Sequence, residues 1–536
     1  MTVEHHDERI AEQIQRKESL GPMYGIEWCR RRKHANANLP SLLMNRELGM
    51  RPQGTQFLRA REFYHCMTPK YALNKVEKPN VVVRRFTPNG KQLICFAGPS
   101  VIVYDYLGVQ NAQHRTSIDA FDAVFKERFS TTVLSNDETA TATIARDYCF
   151  VTHDSKHLII LKSRLFDDIM ASMPFATAYP NNEALTPLSS PVEYTFVSIS
   201  LQNGQICSEM KVRCERAINV HSIHLVDRNL ALLSVHHQLI YMYRVDEVTG
   251  VVGDVMQIGR YMYQNDRLHI DNYDRLNTSA RSEKFFTGFK QRFLVYLYEK
   301  MKSSGEKKHF LRNRHFYDTL KMSKMQMLGS QLILIRMVPQ SSLSQRPPEH
   351  GTQLMHFFVI LEWQEGIIHG VYGKSSEALF DLFEKYNELF KNGDSAYNYF
   401  PSSMEYCYPV RAAHERTKAS LISSKNGSIA EARKRILYTL PATLPIYPSV
   451  TPYLDPTLFS FDEKFPGIIE RAKMMESPLK FFSRKTERLV FELNLESFKG
   501  GNVIALFHPT DPFVISFEKN QGDGLLMFHM PQPAVI

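Results

Sequence analysis

Paired histidines and paired cysteines are the residues whose spacing offers chemistry in this chain of 536 residues. His221 with His224, or His236 with His237, would bring two imidazoles to a metal. Neither pair has a third or fourth ligand at useful spacing, and both lie in alternating, strand-like context. Surface or turn histidines are therefore expected, and no metal site. Cys207 and Cys214 flank an expected turn and would meet only if a hairpin aligned them. Seven cysteines, an odd number with no CxxC pair, fit reduced thiols in cytosol or nucleus. The chain has no GxSxG elbow, no GxxxxGK[ST] phosphate loop, no GxGxxG turn and no HExxH helix. No motif pairs its carboxylates. The expectation is a binding protein rather than an enzyme, with no catalytic residues, no metal and no cofactor.

Charge gives two further candidates. Arg30, Arg31, Arg32 and Lys33 form a compact basic run, readable as a nuclear localisation signal or as a solvated charge cluster. Lys307, Lys308, Arg312 and Arg314 stand beside Phe310, Phe316 and Tyr317, an arrangement for phosphate pairing and base stacking. The plainer alternative is a solvated helix pair whose aromatics anchor it in the core. Net charge is +9, which suits an acidic partner, but 56 acidic residues against 65 basic ones fall short of a nucleic-acid signature. The first residues are charged from Glu4 to Glu18, unlike a signal peptide, and no apolar run is long enough to span a membrane.

The elements that must carry these residues read mainly as β. Phe86–Leu107 sets the pattern: a Pro88-Asn89-Gly90 turn, a buried run Leu93–Phe96, a Gly98-Pro99-Ser100 break, and a second strand through Val101 and Val103. The same rhythm returns at Tyr194–Gln205, with an Asn-Gly turn, and at Leu230–Val245, with His236-His237-Gln238 as the turn. A hydrophobic share of 43% is enough for a large core. The fold expected is a divergent WD-repeat-like β-propeller of about seven blades with α-helical insertions and an N-terminal helical arm. Residues 1–55 are the arm and 56–536 the propeller, with helical insertions near 265–330 and 375–440. Phe285–Lys302 has helical spacing, although Phe293–Tyr298 also reads as a strand. Ser375–Phe390, capped by Ser375 and Ser376, and Ser428–Leu440 are clear amphipathic helices, and Asn392–Pro409 has loop composition. A chain that begins and ends in β can close a ring by pairing its terminal strands.

Several blocks resemble one family, the de-etiolated proteins of plants and animals. They are VEKPNVVVRRFTPNGKQLICF (Val76–Phe96), VYDYLG (Val103–Gly108), LALLSVHHQLIYMYRV (Leu230–Val245), IGRYMYQND (Ile258–Asp266) and QRFLVYLY (Gln291–Tyr298). TPYLDPTLFSFDEKF (Thr451–Phe465), FHPTDPFVISFEK (Phe507–Lys519) and FHM (Phe528–Met530) complete the set. Their order and spacing carry the resemblance over nearly the whole chain, while Gln110–Arg146 and residues 163–190 match no block. The resemblance implies a nuclear adaptor or substrate-receptor subunit of a cullin–RING ubiquitin ligase. Its partners would be the damaged-DNA-binding propeller adaptor, a small companion subunit and ubiquitin-conjugating enzymes, with chromatin or histones as further contacts. It also implies that the short helix after Asn38 docks on the adaptor, through Leu39, Leu42 and Leu43 with Arg46 at the rim. The alternative is a chromatin- or DNA-associated repressor, for example of histone genes, that meets DNA or histones directly through the basic residues above.

Overall fold

The computed structural model describes residues 71–112, 115–135, 137–139, 141–165, 183–185, 192–215, 223–259, 288–343, 356–386, 390, 408–424, 427–438, 440, 459–460, 479–483, 487–493, 503–509, 511, 513–518 and 526–530. They form six antiparallel sheets among the described residues. The first strand, β1 (Tyr71–Val76), belongs to the first sheet, which strands from the end of the described residues complete as the closing sheet. The second sheet runs β2 (Val82–Phe86), β3 (Gln92–Ala97), β4 (Ser100–Tyr106) and β5 (Phe125–Thr132), with helix α1 (Ala120–Val124) leading into β5. The third runs β6 (Ala142–Val151), β7 (His157–Leu165), β8 (Val192–Ser200) and β9 (Ile206–Glu215). The fourth runs β10 (Ile223–Val226), β11 (Asn229–Ser234), β12 (Leu239–Val245) and β13 (Val252–Ile258). Helices α2 (Phe289–Ser303) and α3 (Lys307–Thr319) precede the fifth sheet, β14 (Leu320–Leu328), β15 (Leu332–Pro339), β16 (Phe357–Glu362) and β17 (Ile367–Gly373). Helices α4 (Glu377–Lys385), α5 (Tyr408–Ile422) and α6 (Ile429–Tyr438) separate it from the sixth, β18 (Phe459–Ser460), β19 (Leu479–Ser483) and β20 (Leu489–Leu493). Finally β21 (Val503–Phe507), β22 (Val514–Glu518) and β23 (Leu526–Met530) complete the closing sheet. In it β1 pairs with β23 through Tyr71↔Met530, Leu73↔Phe528 and Val76↔Leu526. The first and last strands among the described residues therefore pair in one sheet, as expected of terminal strands.

Local chemistry sets the hairpins. In TPNGKQ (Thr87–Gln92) the Gln92 amide donates to Thr87 Oγ1 at 3.0 Å and the Lys91 amide to Asn89 Oδ1 at 3.0 Å. Gly90 sits at φ 72°, a left-handed position that glycine adopts without strain. THDSKH (Thr152–His157) repeats this bond for bond. The His157 amide donates to Thr152 Oγ1 at 3.0 Å, the Lys156 amide donates to Asp154 Oδ1 at 3.2 Å, and Ser155 takes the positive φ. Each turn delivers its last residue against the following sheet. Gln92 Nε2 donates to the Leu201 carbonyl at 3.3 Å, and His157 lies where a side chain at Gly250 would stand.

Strand alternation places successive side chains on opposite faces, and here both faces are buried. Leu93 and Cys95 share a core with the closing sheet, whereas Ile94 and Phe96 share one with the third. Leu158 and Ile160 face the second sheet, and Ile159 and Leu161 face the fourth. Leu230 and Leu232 face the third sheet, and Ala231 and Leu233 face the fifth. The fifth sheet breaks the series. Ile333 and Ile335 pack on the fourth sheet and on α2 and α3, but Leu332 and Leu334 pack on α4 and α6 through Leu379, Phe383 and Ile436.

The mainly β expectation holds, as do the α4 and α6 helices. Ser376 Oγ accepts the Leu379 amide, the serine cap expected, and Ser428 Oγ accepts the Glu431 amide, a cap found only in the structure. Residues 289–303 resolve to helix, because Phe289, Phe293, Leu297 and Met301 fall on one buried stripe. Helix α5 had no counterpart in the sequence reading. None of its described residues is fully buried, so no apolar stripe announces it. The expected arm, residues 1–55, lies outside the described residues, and so does all of Thr451–Phe465 except Phe459 and Ser460.

Candidate interaction surface

Helices α2 and α3 make a hairpin turned by Ser304 and Gly305. Gly305 takes φ 81°, and the Glu306 amide reaches back to the Met301 carbonyl at 2.7 Å, closing the C-terminus of α2. Helix α3 fully buries only Phe310 and Tyr317, and one side of it, with Lys308, Leu311, Arg312 and His315, is exposed. That geometry splits the expected basic quartet. Lys307 and Arg314, seven residues apart, share a half-buried side, with the Lys307 ammonium 5.7 Å from the Tyr298 ring centre. Lys308 and Arg312, four apart, share the exposed side with Leu311 and His315. Of the four, Lys308 and Arg312 are thus exposed, and Lys307 and Arg314 are half-buried. Arg30, Arg31, Arg32, Lys33, Leu39, Leu42, Leu43 and Arg46 lie outside the described residues.

A second feature went unread in the sequence. Where the fourth sheet meets the fifth, Gln238 at positive φ closes the β11–β12 turn and pairs with the backbone of Met322. Its Oε1 accepts the Met322 amide at 2.6 Å and its Nε2 donates to the Met322 carbonyl at 3.0 Å. Beside this clamp, Lys290 of α2 and Lys321 of β14 are both buried. Lys290 donates to the carbonyls of Asp318 and Leu320, capping the end of α3. Lys321 donates to the Glu183 carbonyl at 3.0 Å and to its carboxylate, which also lies 3.5 Å from Lys290. Burial pulls Lys290 down to about 8 despite the carboxylate, with the Lys321 charge acting in the same direction. The available signal was Glu183 itself, the one charged residue in 169–192, together with a lysine inside each of two apolar runs.

The closing sheet meets the second through His508. The Asp511 amide donates to Nδ1 at 2.8 Å, so Nε2 carries the proton and donates to the Gly90 carbonyl at 2.7 Å. Burial lowers His508 to about 4. Phe86 and Tyr106 pack against the ring, the Phe513 carbonyl accepts the His508 amide, and the Tyr106 hydroxyl donates to Asp511 at 3.0 Å.

Two expectations are corrected. His236 and His237 do lie in the β11–β12 turn, as expected, but at 8% and 2% exposed they are buried there, and His224, 6% exposed, lies on strand β10 rather than at the surface or in a turn. His221 lies outside the described residues, among which no group of three or more His, Cys, Asp or Glu is placed to hold a metal. Cys207 and Cys214 do not face each other across a hairpin. Both lie on β9, seven residues and roughly 23 Å apart along one strand. No helix among the described residues is long and apolar enough to cross a membrane.

Comparison with known proteins agrees with the blocks quoted from the sequence. Residues 146–532 match the family described as De-etiolated protein 1 Det1. The light-mediated development protein DET1 of Arabidopsis thaliana is 25% identical over 548 residues, covering 90% of this chain and 97% of that protein. Its namesake in Solanum lycopersicum is 24% identical over 526 residues, covering 90% and 96%. Among solved structures, Saccharomyces cerevisiae Sqt1 aligns at a TM-score of 0.24 and 9% identity over 87% of this chain and 89% of its own. The N-terminal domain of Nup159 aligns at 0.23 and 8% over 86% and 92%. Such scores carry no argument about the fold. The extent of the family match does: this chain belongs to the de-etiolated protein 1 family.

Proposed function

We propose that this chain is a non-catalytic nuclear adaptor or substrate receptor of a cullin–RING ubiquitin ligase that restrains transcription through chromatin. Family membership along most of the chain is the observation that carries this reading. Its relatives are named for light-mediated development, a regulatory role rather than a reaction. We infer further that the sheets form a divergent propeller-like ring. Successive sheets share cores, β1 completes the sheet of β21–β23, and Phe481 of the sixth sheet touches Phe507 of the closing one at 6.1 Å between ring centres. Helices α4–α6 would take one place in that ring. Such a body is a scaffold, and Leu39, Leu42 and Leu43, with Arg46 at the rim, would fasten it to the propeller adaptor beside the small companion subunit. Ubiquitin-conjugating enzymes would be held on the same assembly, and Arg30–Lys33 would direct it to the nucleus.

Size-exclusion chromatography with the adaptor tests the assignment. The wild type is expected to co-elute, and Leu42→Asp with Leu43→Asp to elute alone while keeping its far-UV circular dichroism. A charge placed in a desolvated apolar pocket costs at least the few kcal/mol (~2–4) that the leucine contributed. Co-elution of the double variant would sink the docking assignment, and no co-elution of the wild type would sink the ligase reading.

The exposed Lys308–Arg312 pair favours the second reading, direct contact with DNA or an acidic chromatin protein. Two phosphate contacts predict a salt slope of only about −2 in log–log terms. Anisotropy titrations with duplex DNA between low and physiological salt measure that slope. Lys308→Gln with Arg312→Gln should flatten it, and an unchanged slope would exclude this helix.

A further inference from the structure

The recess between the fourth and fifth sheets is occupied by a segment that belongs to neither. Glu183, Ala184 and Leu185 lie in the connection between β7 and β8 of the third sheet, yet they dock beside α2 and β14. Three contacts of different kinds hold them. The Glu183 carboxylate meets the Lys321 and Lys290 ammoniums, the Glu183 carbonyl accepts from Lys321 at 3.0 Å, and the Leu185 amide donates to the His236 carbonyl at 2.8 Å. The lysine side chains are only 8% and 9% exposed, while Glu183 retains 23%. The cations are thus built into the wall and the anion is laid on from outside.

The two lysines are not equivalent. Lys290 has employment of its own at the end of α3, through two backbone carbonyls. Lys321 makes its hydrogen bonds, among the described residues, to Glu183. A buried ammonium held this way is expensive to leave without its anion, so the recess demands a carboxylate and discriminates against its uncharged amide. The Leu185 amide bond to the His236 carbonyl and the half-buried Leu185 side chain add a backbone and an apolar contact two residues beyond. Charge, backbone and apolar contact in that order are how a short peptide is read.

We propose that the Lys290–Lys321 recess is a carboxylate-reading peptide site which Glu183-Ala184-Leu185 fills in cis, and that an extended partner segment carrying an acidic residue two before a leucine takes the same place when the internal one is displaced. A tethered ligand acts at an effective concentration on the order of millimolar, so the resting protein excludes weak competitors. Only a segment with further contacts, or a partner that first draws the internal segment away, gains entry.

The test uses the full chain and a fluorescent peptide copying residues 182–186, Asn-Glu-Ala-Leu-Thr. Glu183→Ala with Leu185→Ala vacates the recess, and the peptide is expected to bind this variant at least tenfold more tightly than it binds wild type. Replacing the peptide's glutamate by glutamine should cost at least tenfold, and adding Lys321→Met to the variant should remove the difference between the two peptides. Equal weak binding of both peptides to a variant with wild-type circular dichroism and thermal midpoint would overturn the proposal. Should that variant not fold, hydrogen exchange on the isosteric Glu183→Gln decides. Loss of at least tenfold protection at 183–185 with α2 and β14 still protected is expected, and unchanged protection there would overturn it.

Discussion

The second sheet and the fifth sheet have the same order of four antiparallel strands, yet they keep different company. The second is packed on both faces by other sheets, through Leu93 and Cys95 on one side and Ile94 and Phe96 on the other. The fifth has a sheet and the α2–α3 hairpin on one face, but α4 and α6 on the other. The difference teaches where the molecule is closed and where it is open. A sheet-on-sheet seam is sealed along its length by turns such as Thr87–Gln92 and Thr152–His157, whose last residues lock onto the next sheet. A helix laid on a sheet is held mainly by its apolar stripe, here Leu379, Phe380 and Phe383, and by a few ion pairs such as Arg433–Glu377 at 2.7 Å. Motion, exchange and partner access should therefore concentrate on the helical side.

The largest effect should come from emptying one seam of each kind. Phe96→Ala and Phe383→Ala each remove a buried ring, at a cost of roughly 3–5 kcal/mol. In the sheet-on-sheet seam the loss is expected to be global, lowering one cooperative denaturant transition. In the helical seam it should be local, appearing as faster hydrogen exchange in α4 and α6 while β2–β5 keep their protection. Identical exchange patterns for the two variants would erase the distinction.

Next in size is the acid response of the closing seam. His508 and His529 are buried as neutral rings and both are lowered to about 4, each by burial. A group whose folded value lies below its unfolded value of about 6.5 contributes fully above 6.5 and loses its contribution as pH falls toward 4, because the unfolded chain then binds the proton. The expected loss is on the order of 3 kcal/mol per ring across that window. Asp511, next to His508, favours the charged ring and softens the effect there. Thermal midpoints recorded from pH 7 to pH 4 should fall, and His508→Gln should fall less over the same range. A flat profile for wild type would show that these rings do not couple the seam to pH.

How much of this was legible beforehand follows from which forces leave a trace in local sequence. The strand–turn–strand units were readable because Pro88, Asn89 and Gly90 punctuate apolar runs of the right length. Helix α4 was readable from its serine cap and apolar stripe, and α6 from its stripe alone. The face of each sheet that meets a helix rather than another sheet was not, since Leu332–Ile335 is apolar on both faces whatever covers it. The basic quartet was found on α3, but its division into two pairs depends on the helix's rotation about Phe310 and Tyr317. The recess around Lys290 and Lys321 joins residues more than a hundred positions apart from Glu183, and only the lone charge in 169–192 hinted at it. Cys207 and Cys214 were misplaced because the strand runs through the position where a turn was expected.

The smallest effect sharpens the comparison most finely. Ser376 is 2% exposed and its hydroxyl accepts the Leu379 amide at 3.3 Å, so α4 begins inside the protein. Ser428 makes the corresponding bond to Glu431 at 3.1 Å, but it stands where water can replace the hydroxyl. If the helical layer is held only by its apolar stripe, Ser376→Ala and Ser428→Ala should cost the same few tenths of a kcal/mol (~0.5). If burial at the start of α4 matters, Ser376→Ala leaves an amide without water or hydroxyl. It should then cost about 1–2 kcal/mol, against about 0.5 for Ser428→Ala. Urea midpoints of the two variants separate the cases. The larger loss is expected at Ser376, because a cap that solvent cannot replace is what fixes α4 against Phe358 and Tyr372 and so sets the face of the fifth sheet that, among the described residues, helices rather than another sheet cover.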